Sequence, residues 1–185
     1  LNFLRPANVI RIVMPDEHAT DQTKKLPNRR SVRLTGHDYG QAGFYFVTIC
    51  AADKRCIFGR VERDRVQLSA IGEIIDRCLT NIPMHMPGVN IDTYVIMPNH
   101  IHAIIQIVEP NAPTSLSSII GSFKSASTKA VHRNLDAPAL MVWQRGFFEH
   151  IIRTEKALFQ IRQYIVDNPI QWHVHRLNPQ FETTG

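Results

Sequence analysis

The run His100-Ile-His-Ala-Ile-Ile-Gln-Ile107 constrains this chain most. Strand side chains alternate faces, so Ile101, Ala103, Ile105 and Ile107 form one wholly apolar face. His100, His102, Ile104 and Gln106 share the other, which is not the face of a strand simply buried on both sides. Ile91–Met97 reads as a second strand, and Pro98-Asn99 between the two is a turn signal. A sheet with an apolar face has to be covered by another layer, and the rest of the chain supplies helices to do it.

Phe44–Cys50 is an aromatic and β-branched run, hence a buried strand. Ile57–Val61 and Arg65–Leu68 form a short hairpin joined through Glu62-Arg63-Asp64. Ser69 caps a first helix whose Ile71, Ile74, Ile75, Cys78, Leu79 and Ile82 keep a helical stripe, with Pro83 ending it. A second helix, capped by Thr114 or Ser115, buries Leu116, Ile119, Ile120, Phe123, Ala130 and Val131. Met141–Gln144 and Phe147–Ile152 suggest one more strand. Thr154 caps a third helix that runs to about Asn168 and stops at Pro169. No parallel βαβ repeat and no glycine-rich phosphate loop interrupts this order. The expected class is α+β, a ferredoxin-like antiparallel sheet with packed helices.

With 185 residues the chain is most economically one domain. Lys24, Lys25, Arg29, Arg30 and Arg33 surround Pro27, so residues 1–32 are expected to be a flexible basic arm, 33–175 the folded domain and 176–185 a tail. No apolar run spans a membrane and no secretory pattern opens the chain, so a cytoplasmic setting is expected. Three cysteines match no zinc or CxxC spacing and read as reduced packing residues. A net charge of +5 favours polyanions, nucleic acid first among them.

His100 and His102 project from one side of their strand with Cβ atoms about 7 Å apart, close enough for both imidazoles to reach one ion. Tyr164 and Asn168 stand four apart on the third helix, at the edge of its Leu158, Ile161 and Ile165 stripe. Asn168 offers an oxygen ligand suited to Mg²⁺ or Mn²⁺. On spacing alone the histidines also fit a pair satisfied by backbone or water. Tyr164 and Asn168 equally fit a half-buried core tyrosine and a helix cap.

Tyr94-Val-Ile-Met-Pro-Asn-His-Ile-His102 resembles the HUH motif of single-tyrosine transposases, where U is a hydrophobic residue. Tyr164-Ile-Val-Asp-Asn-Pro169 resembles their nucleophile helix. Gly121-Ser-Phe-Lys-Ser125, Trp143–Arg153, Arg33–Tyr39 and Gly43–Cys50 resemble segments of the REP-associated tyrosine transposases, in the same order, so the similarity covers roughly residues 30 to 175. The resemblance implies the HUH endonuclease fold, with His100, His102 and Asn168 as metal ligands and Tyr164 as nucleophile. It implies nicking and strand transfer through a 5′-phosphotyrosine, on single-stranded or hairpin DNA, by a nucleoid-associated protein. Other branches carry glutamine at the position of Asn168.

Ser122, Lys124 and Lys129 lie off the helical stripe and are expected to contact DNA, with both lysines on phosphate. Gln144 and Arg145 are expected to contact DNA as well, since arginine forks onto phosphate or guanine. His150 is open between a DNA contact and a structural role. His173 and His175, following Pro169, are expected to be surface histidines. A histidine-triad hydrolase is discounted because position 104 is isoleucine. A hairpin-binding protein without cleavage activity is the alternative, and the chain could act as a monomer with its site in cis or as a homodimer.

Overall fold

A computed structural model describes residues 41–108, 115–175 and 177–179. The basic arm expected over 1–32 lies outside these residues. The first strand is β1 (Gly43–Cys50), followed by the hairpin β2 (Gly59–Glu62) and β3 (Arg65–Leu68), which forms its own small sheet. Next come α1 (Ala70–Thr80), the one-turn α2 (Ile82–His85), β4 (Val89–Met97) and β5 (His100–Ile107). The chain continues through α3 (Leu116–Leu135), β6 (Phe148–Ile152) and α4 (Glu155–Asp167). The main sheet has the order β4-β5-β1-β6, and every neighbouring pair is antiparallel. With the hairpin and α2 set aside, the chain runs βαββαβ before α4. That is the ferredoxin-like arrangement the sequence predicts.

The helices start where their capping residues stand. Ser69 Oγ accepts the Gly72 N–H at 3.1 Å, Ser115 Oγ that of Ser118 at 3.2 Å, and Thr154 Oγ1 that of Ala157 at 3.1 Å. Each cap satisfies an amide the helix itself leaves unpaired, worth about 1 kcal/mol. Pro83 does not end α1 as expected. The helix stops at Thr80, and Pro83 sits in the first turn of α2, where its missing N–H costs nothing. Met141–Gln144 is not a strand either; Trp143 makes a single bridge to Ala51 and β6 begins at Phe148. Cys56 is exposed rather than packed.

The two faces of the sheet are covered by different helices. Tyr45, Val47, Ile49, Ile101, Ala103, Ile105 and Ile107 join Ile74, Ile75 and Leu79 of α1 and Ile119, Ile120 and Phe123 of α3 in one buried cluster. A register shift at Asp92 in β4 places Ile91 and Tyr94, three residues apart, against this same cluster. On the other face α4 packs on β4 and β5. Here the expectation for β5 is corrected: His100, His102 and Ile104 are all buried, and only Gln106 on that face is half-exposed. Leu158, Ile161 and Ile165 bring the apolar stripe of α4 down to cover them, as buried as the strand residues below.

Candidate active site

The histidine pair sits at the start of β5, opposite the end of β1, where Cys50 pairs with His100 and Thr48 with His102. Their Nε2 atoms are 3.1 Å apart. Two nitrogens held at about 2.1 Å from one ion would be separated by that distance at an angle of about 95°. The geometry admits a shared cation, provided both nitrogens can present lone pairs.

The partners of the other ring nitrogens decide this. Asn99 Nδ2 donates to the carbonyls of Lys54 (2.9 Å) and Leu177 (2.7 Å). Carbonyl oxygens only accept, so the amide nitrogen must face them and Asn99 Oδ1 must face His100. Oδ1 lies 2.8 Å from His100 Nδ1, which therefore carries the proton and leaves Nε2 bare. Complete burial, with His102 and His175 alongside, holds His100 well below the usual imidazole pKa, so it is neutral. Thr48 Oγ1 lies 2.9 Å from His102 Nδ1, and a hydroxyl can accept there, which permits the matching tautomer. The Lys54 carbonyl reaches Asn99 from a backbone segment in which Asp53 and Lys54 both take the left-handed conformation, φ 54° and 53°.

Tyr164 stands over the pair. It is half-buried on α4, its ring edge-on to Phe46, and its hydroxyl is 3.3 Å from His102 Nε2. One turn later Asn168 is buried, and neither its amide oxygen nor its amide nitrogen has a hydrogen-bond partner. A buried amide left unpaired costs about 1–3 kcal/mol, a cost that a ligand bound there would offset. The bare His100 nitrogen, a facing His102 nitrogen that can take the same form, and an unpaired carboxamide on the covering helix fit a divalent ion.

A third histidine comes from an unexpected place. His175 was expected on the surface; instead its ring stacks on His100 with centroids 5.0 Å apart, and its Nε2 is 3.3 Å from the Tyr164 hydroxyl. The ligand atoms of His100, His102 and His175 all lie within 4.8 Å of one another. The tail expected from 176 onward continues to serve the site. Leu177 accepts from Asn99, and Asn178 is buried with its side chain donating to Trp172 O. His173 is exposed, as expected. Thr48, Asn99 and His175 are thus the residues that sequence reasoning missed; Asn99 read only as a turn residue beside the histidine motif.

The expected DNA contacts fall in two groups. Ser122 and Lys129 are exposed on α3, whose packing face lies across the sheet from the histidines. Lys124 does not project freely: its Nζ donates to the carbonyls of Gln144 (2.8 Å) and Gly146, and burial pushes its pKa down to about 8. It holds the 144–146 loop in shape. The Gln144 N–H bonds Cys50 O at 3.0 Å, so this loop sits at the His100 end of the sheet with Arg145 exposed upon it. His150 is exposed on β6, opposite Phe46.

Residues 45–168 match the family model described as transposase, IS200-like. The chain belongs to the IS200-like transposase family. This transposase is also 41% identical over 171 residues to an uncharacterised protein of Haemophilus influenzae, covering 82% of this chain and 94% of that one. Its fold resembles that of a REP-associated tyrosine transposase solved bound to a REP hairpin, with a TM-score of 0.57 and 22% identity. That likeness covers 75% of this chain and 73% of the other. The sequence resemblance to the single-tyrosine transposases is thereby borne out as a family relationship, and the α+β fold with it. Among the described residues no helix is long and apolar enough to cross a membrane.

Proposed function

We propose that this transposase nicks and rejoins single-stranded DNA bearing a hairpin, with Tyr164 as nucleophile and a divalent ion, Mg²⁺ or Mn²⁺, held by His100, His102 and Asn168. The observation that carries the reading is the Tyr164 hydroxyl 3.3 Å from a nitrogen of a histidine pair whose Nε2 atoms face one another at 3.1 Å. When bound, the ion would neutralise charge on a non-bridging phosphate oxygen and orient the scissile bond.

The chain's own residues supply the rest. Asn99 and Thr48 fix the two rings, and α4 holds the phenol above them. In the nicking step the Tyr164 oxygen bonds to phosphorus as the bond from phosphorus to the 3′-oxygen breaks. The phenol gives up its proton and the departing 3′-oxygen gains one. The 5′-phosphotyrosine left behind retains the phosphoester bond, so another 3′-hydroxyl can reverse the step without a nucleotide cofactor. Hairpin recognition is proposed from the family and from the hairpin bound by the structural relative. Gln144 and Arg145 are the best-placed DNA contacts, on the loop at the His100 end of the sheet, with Ser122 and Lys129 further away.

The test is cleavage of an end-labelled hairpin oligonucleotide with a single-stranded flank. We expect nicking with Mn²⁺, and none with chelator, with Tyr164→Phe or with His100→Ala. Tight hairpin binding without any nicking by the unmodified protein would favour a binding module over an enzyme.

A further inference from the structure

His175 is the one site histidine that the proposed function leaves without a task, and its hydrogen bonds specify one. Its Nδ1 accepts the backbone N–H of Leu177 at 3.2 Å. A ring nitrogen that accepts from an amide must offer a lone pair, so in the neutral ring the proton sits on Nε2. That is the opposite tautomer from His100, whose Nδ1 is protonated by the orientation of Asn99. The two stacked rings therefore present different chemistry to the same small space. His100 points a lone pair into it; His175 points an N–H.

A metal needs the lone pair, so His175 as held here is no ligand, although it lies within reach of the pair. Its Nε2–H is instead 3.3 Å from the Tyr164 oxygen. We propose that His175 is a catalytic hydrogen-bond donor to the nucleophile, holding the phenol oxygen in place and stabilising the negative charge on it when its O–H or O–P bond is broken. The inference rests on Tyr164 being the nucleophile. It assigns the segment after α4 a place in the reaction, because three separate bonds aim this ring. Leu177 N–H fixes its tautomer, Asn99 Nδ2 ties the Leu177 carbonyl to the turn before His100, and Asn178 N–H bonds His175 O at 2.8 Å. Trp172 stacks behind the ring with centroids 6.0 Å apart.

The role separates from a ligand's role by substitution. Glutamine can place its amide N–H near the position of the histidine Nε2–H, whereas alanine leaves nothing there. His175→Ala should lower the single-turnover rate of covalent adduct formation by about 10- to 100-fold, the effect of one hydrogen bond to developing charge. His175→Gln should recover most of that loss, and Mn²⁺ affinity, measured by titration calorimetry without DNA, should be unchanged within about twofold in both. A tenfold or larger loss of Mn²⁺ affinity in His175→Ala would make the residue a ligand and overturn the proposal. So would an alanine variant as fast as the parent, or a glutamine variant as slow as alanine.

A second measurement needs neither turnover nor a variant that folds. In ¹⁵N-edited spectra of the unmodified protein, His175 should show the Nε2–H tautomer and His100 the Nδ1–H tautomer. The reverse assignment for His175 overturns the donor role even if the enzyme is active. An unmodified protein with the expected tautomers but no adduct and no Mn²⁺ binding would instead remove the functional reading on which the proposal rests.

Discussion

Asn99 donates its two amide protons to carbonyls on either side of it in sequence, those of Lys54 and Leu177, and offers its remaining oxygen to His100. Replacing it with aspartate keeps the acceptor and removes both donors, so a charged oxygen is set against two carbonyls. Each carbonyl left unpaired in a buried setting costs about 1–3 kcal/mol. We expect Asn99→Asp to lower stability to denaturant by at least that of one such bond, and to speed amide exchange over residues 175–178. Unchanged exchange there would mean that Asn99 does not tie the C-terminal segment to the site. None of these links was legible in the sequence, where Asn99 read as a turn residue and His175 as part of a tail. Both depend on contacts between segments 45 and 78 residues apart, which no local spacing encodes.

At the scale of elements, α4 is fixed above the histidines by more than its apolar stripe. Arg162 bonds Asp92 at both ends of the carboxylate, 2.8 and 2.6 Å, from the helix to the bulge in β4. The pair is partly exposed, so a double-mutant cycle of Arg162→Gln with Asp92→Asn should give a coupling of about 0.2–1 kcal/mol, towards the upper end for a two-pronged contact. The Arg162 bonds, with help from Thr93, hold the Asp92 carboxyl below the usual carboxylate range. Its pKa is thus lower folded than unfolded. The contribution is present above the ordinary carboxylate pKa and is lost as pH falls through the folded value. The coupling measured at pH 7 should weaken as pH falls below the ordinary carboxylate range and be lost once pH is below the folded value; a coupling that stays constant throughout acid titration would contradict this role. The stripe of α4, its Thr154 cap and the alternation of β5 were all readable, because helix and strand periods are local properties. The bulge at Asp92 was not, since it is defined only against the partner strand. The cover over the histidine face was misread for a related reason: three polar residues on a face suggest exposure until a helix is seen to lie over them.

On the scale of the molecule, one chain brings Tyr164 and both histidines together. The α1 and α3 layer supports the sheet from below, and α4 with the C-terminal segment closes over the site from above. If the site works in cis, two damaged chains cannot repair each other. We expect a mixture of His100→Ala and Tyr164→Phe proteins to nick no faster than the sum of the two alone. Restoration to a sizeable fraction of the parent rate would show that the tyrosine is exchanged between subunits. The fold class was readable in the sequence, and so were the candidate residues of β5 and α4, but the choice between cis and trans was left open. Local spacing does not encode how far Tyr164 lies from the histidines, which is 3.3 Å within one chain.

The central claim is that the Tyr164 oxygen becomes the point of attachment to DNA. It is tested most directly by incubating the unmodified protein with a hairpin oligonucleotide and Mn²⁺, digesting the product with nuclease and protease, and locating the added nucleotide by mass spectrometry. The account predicts a phosphonucleotide on Tyr164. Attachment to any other residue, or cleavage with no covalent product, would contradict it.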